Sequence, residues 1–410
     1  MKIGWAKVDI TPENPMPLAG YALRTGRSSD ILDRIYGRIL YIDSVVIIAL
    51  DLLIVDEKLR EEIALKVSKE LGIPESNVIV TATHTHSAPE SSLSFLTNLW
   101  GIEDEREIIK NYQEFIITRL AEALKKINFD NTSLFAGKAI IEGVSSNRID
   151  PNGIVDKESV FLFDSKKKTI ALNFSCHPTV LPYSNNKISG DLAGAISRLF
   201  EKEFNVALFL NGAAGNVSTR FTRKSQKYEE VNRLAKLFFS QVKNKLNSCE
   251  KLTGDVDLTW KKLKVKPKQP PSRTKIEDFE AELLAKLNQS NISSQERRII
   301  ENNLLGVQIL KKISEYLKKI NVINFNIAKL TIGENFVALF TPAEMFVEYQ
   351  ITAKRISPYK YTMFVGYANG YTAYIPFEPL KEDTYEVAVS IVDPSEYQRI
   401  KGTIEKLLTK

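Results

Sequence analysis

Histidine and cysteine are the scarce residues of this 410-residue chain, which holds three histidines and two cysteines. Cys176 and Cys249 lie far apart and outside any CxxC pair. That excludes a disulfide framework and a cysteine-built zinc site. No apolar run approaches the length of a membrane span, and Met1-Lys2-Ile3 leads straight into a strand pattern where a signal peptide would show a basic start and an apolar run. The expectation is a cytoplasmic protein with no transmembrane segment. Internal repeats and low-complexity segments are missing, as are the GxxxxGK[ST] phosphate loop and the G-x-S-x-G nucleophile elbow. The formal charge of +6 is modest. Its densest basic runs, Lys166–Lys168 and Lys261–Lys268, have no interleaved aromatics, so they read as solvated faces and no nucleic-acid partner is expected.

What is present is concentrated in Asn77–Ser87, NVIVTATHTHS. Asn77 to Thr83 is β-branched and apolar and reads as a buried strand. His84 and His86 sit at its carboxyl end, where open α/β sheets place their ligands. In an extended chain residues i and i+2 share a face, so both imidazoles are expected to point one way. The third histidine, His177, follows another apolar run in NFSCHP.

Taken in order, Ile3–Ile10 alternates as a strand, and Arg38–Leu53 gives two strands about Asp43-Ser44. Asp56–Leu71 and Glu103–Ile127 have helical periodicity. Leu134–Gly143 is a strand, and Val160–Phe163 with Ile170–Ser175 forms a hairpin. Asp191 reads as the N-cap of a helix over Leu192–Phe204, and Val206–Leu210 is a buried strand. Alternating helices and strands define an α/β class, a mixed β-sheet core flanked by helices. A proline-rich break at Lys266–Pro271 opens a polar helical stretch, read as a helical hairpin inserted at 266–320 in a single domain spanning 1–410. Strands resume at Val322–Ile332 and Phe336–Thr341.

A catalytic zinc takes three protein ligands and leaves one position open. His84 and His177 are candidates, with His86 either a third ligand or a proton carrier. Asp51, Asp191 and Glu344 are the carboxylates at element ends. Glu344 also fits a capping box from Thr341 with proline in the first turn. The small-residue loop Asn211–Ser218 follows a strand, and its successive N–H groups are suited to an oxyanion or phosphate.

Thr83-His84-Thr85-His86-Ser87, Cys176-His177 with Ile188-Ser189-Gly190-Asp191, and Gly215-Asn216-Val217-Ser218 occur in that order. Pro342-Ala343-Glu344, Ala368-Asn369-Gly370-Tyr371-Thr372-Ala373-Tyr374 and Tyr385-Glu386 follow. In order and spacing the chain resembles the catalytic domain of the neutral/alkaline ceramidase family over nearly its whole length. The resemblance implies a zinc-dependent amidase acting on a small-molecule or lipid-like N-acyl substrate. It places zinc ligands at His84, His177, Glu344 and Tyr374, a second active-site histidine at His86 and a substrate-contacting arginine at Arg148. It also places the catalytic serine at Ser218 and a further active-site tyrosine at Tyr385. Three departures accompany it. The chain starts at its first strand without a leader, and it stops at Lys410, so the family's immunoglobulin-like domain is expected to be absent. The serine loop reads Gly-Asn-Val-Ser where the family more often has Gly-Asp-Val-Ser.

Other readings make different demands. A two-metal amidohydrolase needs more than three histidines. Hydrolysis of another small amide or an ester would use the same zinc residues. A non-catalytic metal-binding or interaction protein built on the insertion would lose function on deletion of Lys266–Lys318 and keep it on replacement of His84. The sequence carries no signal for oligomeric state.

Overall fold

The computed structural model describes residues 1–94, 102–289, 291–381 and 384–409. Among them, two five-stranded sheets and one four-stranded sheet carry the fold. The first runs Val78–Ala82, Val45–Leu50, Tyr36–Ile42, Lys2–Asp9, Asn128–Asn131 from edge to edge. The second runs Val206–Asn211, Thr169–Phe174, Glu158–Asp164, Leu134–Ile140, Glu250–Lys251. The third pairs Val256–Val265, Ile323–Ile332, Phe336–Phe340 and Tyr361–Val365. One face of each meets the others in a shared core, with Ile47 and Ile79 from the first, Val160 and Leu208 from the second, and Leu330 and Met363 from the third.

Helices cover the outer faces. Glu57–Leu71 and Arg106–Lys125 pack on Ile48 and Val80, and Asp191–Phe200 with Tyr228–Lys243 pack on Phe161 and Phe209. Val347–Ile356 and Tyr397–Thr409 pack on Val337 and Phe364. Strands buried on both faces are apolar throughout, which is why Val45–Leu50 reads VVIIAL with no alternation. The first helix shows how locally the ends are set. Asp56 accepts the Leu59 N–H at 2.9 Å, and Gly72 stops the helix in a left-handed conformation at φ 66°. No helix among the described residues is long and apolar enough to cross a membrane.

Each large sheet contains one parallel pair: Val45–Leu50 with Val78–Ala82, Thr169–Phe174 with Val206–Asn211, and Phe336–Phe340 with Tyr361–Val365. Their carboxyl ends converge. Ala82 N donates to the Tyr367 carbonyl, Gly366 N to the Asn211 carbonyl and Thr341 N to the Val365 carbonyl. The buried Asn211 amide donates to the Thr83 carbonyl at 3.2 Å and ties two sheets at this point. The loops that leave these six strand ends build the site.

Two expectations about helix starts are corrected. Asp191 is the first helical residue with Gly190 at the cap, and its φ is 46°. Its carboxylate accepts the Val180 and Leu181 N–H groups and so fixes the loop after His177. Glu344 does not close a capping box. It lies in a short strand paired in parallel with Tyr374, and the helix begins at Val347. Between Val265 and Ile323, helices Arg273–Leu287 and Ser294–Leu317 pack through Ile276, Leu283, Val307 and Leu310 against Ala388. Residue 290, in their connection, lies outside the described residues.

Asp51 is committed to the fold. Arg38, fully buried, donates to Asp51 at 2.7 Å and to Glu201 at 2.7 Å, joining the first sheet to the turn after helix Asp191–Phe200. Removing the cation leaves the buried Asp51 carboxylate without an ion pair, while Glu201 keeps Lys7 at 2.6 Å; breaking a buried pair in this way costs about 3–5 kcal/mol. Arg38→Ala is therefore expected to lower the unfolding free energy by that amount in urea titration. A loss under about 1 kcal/mol, the range of exposed ion pairs, would contradict the assignment.

Candidate metal centre and active-site cleft

The strand before His84 ends at Ala82, and His84 itself is left-handed at φ 67°. Residues 84 and 86 therefore do not share a face of an extended chain. A turn brings them together instead, with His84 Nε2 3.3 Å from His86 Nε2 and 3.0 Å from His177 Nε2. The ligand atoms of the three buried histidines lie within 4.8 Å of one another.

The second ring nitrogens decide the tautomers. His84 Nδ1 faces the Leu53 carbonyl at 2.8 Å, and His177 Nδ1 faces the Ala214 carbonyl at 2.7 Å. A carbonyl oxygen has no proton to give, so each Nδ1 carries the hydrogen and each Nε2 presents a lone pair. Glu344 Oε2 lies 3.0 Å from His177 Nε2 and 3.3 Å from His84 Nε2, and it has no hydrogen-bond donor. The other carboxylate oxygen, Oε1, accepts the Tyr371 hydroxyl at 2.5 Å. With both imidazoles neutral, three acceptors converge in a buried site, an arrangement suited to a cation. Tetrahedral ligands about 2.0–2.1 Å from zinc stand about 3.3 Å apart. The observed spacings of 3.0 to 3.3 Å fit that set.

Electrostatics agree. Burial, with the Arg148 charge nearby, keeps His177 neutral down to about pH 3. Burial lowers the His86 pKa well below its usual value. Burial works against the Glu344 carboxylate, and its pKa falls well below the ordinary range only where positive charge stands at the two imidazoles facing it, the place a bound cation would take.

A cavity of about 160 Å³ is lined by His86, Arg148, Ser218, Tyr374 and Tyr385. Arg148 donates to Glu386 at 2.9 Å, and its guanidinium carbon lies 5.3 Å from the Tyr374 ring centre and 6.0 Å from that of Tyr385. Tyr374 stands beside the acceptor cluster, its ring parallel to His177 at 6.4 Å between centres. Burial raises the pKa of both tyrosines. Ser218 forms a β-bridge with His177, and its Oγ accepts the Arg220 N–H at 3.1 Å. A larger cavity of about 610 Å³ between Met16 and Phe115 contains none of these residues, so chemistry and not size selects the site.

The Asn211–Ser218 loop is not the expected anion cradle. Gly212 N donates to the Phe174 carbonyl, Ala213 N to Gln350 Oε1, Gly215 N to the Met345 carbonyl and Val217 N to the Ala214 carbonyl. The small residues serve close approach. A Cβ on Gly215 would stand 2.5 Å from the Glu344 carbonyl oxygen. The loop is the brace between His177 and Glu344.

Several site residues had no signal in the sequence. Tyr367 stacks on His84 with 4.0 Å between ring centres, and Tyr371 orients Glu344. Gly20 lies against His86, and Asn303 Oδ1 accepts the Tyr385 N–H at 3.0 Å from the inserted helix. Of these, Tyr371 alone lies within one of the sequence motifs, Ala368–Tyr374.

Fold and site together define an α/β protein with a buried histidine–carboxylate cluster at converging strand ends that is compatible with a metal ion. The sequence model described as neutral/alkaline non-lysosomal ceramidase, N-terminal, matches residues 1–226. The chain belongs to that family. It is 24% identical over 247 residues to neutral ceramidase 2 of Arabidopsis thaliana, a match covering 53% of this chain and 31% of the plant protein. The chain thus spans less than a third of that relative's length. Two solved structures share the fold. A ceramidase complexed with C2 superposes with a TM-score of 0.72 at 18% identity, over 98% of this chain and 74% of that one. Neutral ceramidase from Pseudomonas aeruginosa gives 0.71 at 19% identity, over 100% of this chain and 74% of its own.

Gly20 supplies a test of His86. Its φ is 96°, and an added Cβ would meet His86 Nδ1 at 2.5 Å. Gly20→Ala is expected to displace the ring and lower turnover by at least about tenfold, with the metal retained on elemental analysis. Unchanged turnover would separate His86 from the chemistry.

Proposed function

We propose that this chain is a zinc-dependent amidase that hydrolyses the N-acyl bond of ceramide or a related N-acylated amine. One observation carries the reading: two imidazole lone pairs and one carboxylate oxygen converge without a proton at 3.0 to 3.3 Å, in a chain of the ceramidase family. His84, His177 and Glu344 hold the metal in this reading, and the resemblance adds Tyr374. Nitrogen and oxygen donors of this kind suit zinc. When bound, zinc supplies Lewis-acid polarisation of the amide carbonyl and acidifies water.

The chain's own residues do the rest. His86 lines the cleft, with Nδ1 buried against Gly20 and without a partner, and in this reading its ring carries the proton to the leaving amine. Arg148 and Tyr385 line the same cavity and hold the substrate carbonyl as charge develops on its oxygen. Ser218 orients the amide. Its Oγ accepts the Arg220 N–H, and among the described residues no base is hydrogen-bonded to it, which favours orientation over nucleophilic attack.

Elemental analysis with kinetics tests the proposal. Wild type should hold about one zinc per chain and cleave N-acyl amides. His84→Ala and Glu344→Ala should lose both metal and activity. Ser218→Ala should keep the metal while turnover falls. Full metal content in His84→Ala, or loss of metal from Ser218→Ala, would contradict the roles given.

A further inference from the structure

The cleft beside the metal centre holds more positive charge than a neutral amide needs. Arg148, Arg220 and Arg223 line it, and no aspartate or glutamate is among the described lining residues. Arg148 has Glu386 as its ion-pair partner, and among the described residues no carboxylate pairs with Arg220 or Arg223. Their guanidinium groups rest on neutral acceptors. Arg220 Nη1 donates to the Arg148 carbonyl at 3.1 Å, and Arg223 Nη1 donates to the Thr179 carbonyl at 2.5 Å. In addition, Arg148 Nη2 is buried with no partner. Glu386 acts on Arg220 and Asp191 on Arg223, but Glu386 is ion-paired with Arg148 and Asp191 is held by the Val180 and Leu181 N–H groups, so the clustered half-buried cations would gain from a further negative group. Burial and the neighbouring Arg148 accordingly depress the Arg220 pKa to about 10.

Position says where on the substrate the negative group belongs. Arg220 lies two residues past Ser218, and its N–H is hydrogen-bonded to the serine Oγ, so its guanidinium is anchored within one side chain of the reacting amide. Ala22, Pro182 and Leu305 give the same cavity an apolar side for an acyl chain. The arginines are left for the amine half. A cavity of about 160 Å³ suits a compact head group, and the guanidinium fork matches a carboxylate in two parallel hydrogen bonds.

We infer that the preferred substrates are N-acyl amines whose amine half carries a carboxylate, that is N-acyl amino acids, bound through Arg220 and Arg223. This rests on the amidase reading above. In the reaction, water oxygen bonds to the acyl carbon and the C–N bond breaks. The nitrogen gains the two water hydrogens, one of them by way of the acid released, giving a fatty carboxylate and a zwitterionic amino acid.

The test compares N-dodecanoylglycine with N-dodecanoylethanolamine on the zinc-loaded enzyme, two amides that differ in carboxylate against hydroxyl. The carboxylate substrate should show a kcat/KM higher by about tenfold or more, an advantage that shrinks as salt is raised. Arg220→Met and Arg223→Met, checked for fold and zinc content, should narrow the ratio mainly through KM, and Arg220→Lys should restore part of it. Equal or faster cleavage of the ethanolamide would overturn the inference and leave the amidase reading standing. Calorimetry with ketomethylene analogues of both compounds, which cannot be cleaved, separates the two claims. Tighter binding of the carboxylate analogue without cleavage of either amide would keep the anion site and refute the amidase. No difference in binding would overturn the anion site.

Discussion

The centre of this protein is an electrostatic problem that the fold itself creates. Two imidazoles are each locked by a backbone carbonyl at Nδ1, which forces both Nε2 lone pairs toward the same point as the Glu344 carboxylate. None of these groups can relieve the others by donating, because the protons are already spent on Leu53 and Ala214. A bound cation would resolve the conflict, and the surrounding structure is built to hold these groups still. Tyr371 fixes one Glu344 oxygen, Tyr367 stacks on His84, and Asp191 ties down the loop after His177. Such partners of the ligands set ring orientation and basicity.

Parallel pairing explains why the ligands come from such distant parts of the chain. Parallel strands expose their carboxyl ends on one side. Three parallel pairs from three sheets aim those ends at one another, so loops around residues 84, 177, 215, 344 and 374 meet although they are far apart in sequence. Asn211 and the glycines at 212 and 215 are then requirements of close approach, since a Cβ on either glycine would strike Ser175 or the Glu344 backbone. The inserted helix Ser294–Leu317 closes one side of the cleft with Asn302 and Leu305 and touches the backbone of Tyr385 at Gly306.

Much of this was legible in the sequence. Apolar runs such as VVIIAL marked strands buried on both faces, and the rarity of histidine made His84, His86 and His177 conspicuous. Convergence of the histidines was expected for the wrong local reason, because the chain leaves the extended conformation before His84. The capping signal at Thr341–Glu344 was misleading in the same way. A pattern of Thr, Pro and Glu matches a helix start, but strand pairing with Tyr374 outweighs local propensity there. Tyr367, Gly20 and Asn303 left no trace, since an isolated tyrosine, glycine or asparagine has no periodicity and its role depends on tertiary contact. Arg220 and Arg223 belong with them. A charge run is visible in a sequence, whereas two arginines with no carboxylate ion-paired to them among the described residues are visible only in three dimensions.

Zinc-edge anomalous diffraction from crystals of the zinc-loaded protein tests the central claim most directly. The account predicts one anomalous peak, bonded to Nε2 of His84, Nε2 of His177 and a Glu344 carboxylate oxygen, with both Nδ1 atoms still on their backbone carbonyls. A peak elsewhere, or none with His84 and His177 turned so that a proton lies between them, would contradict it.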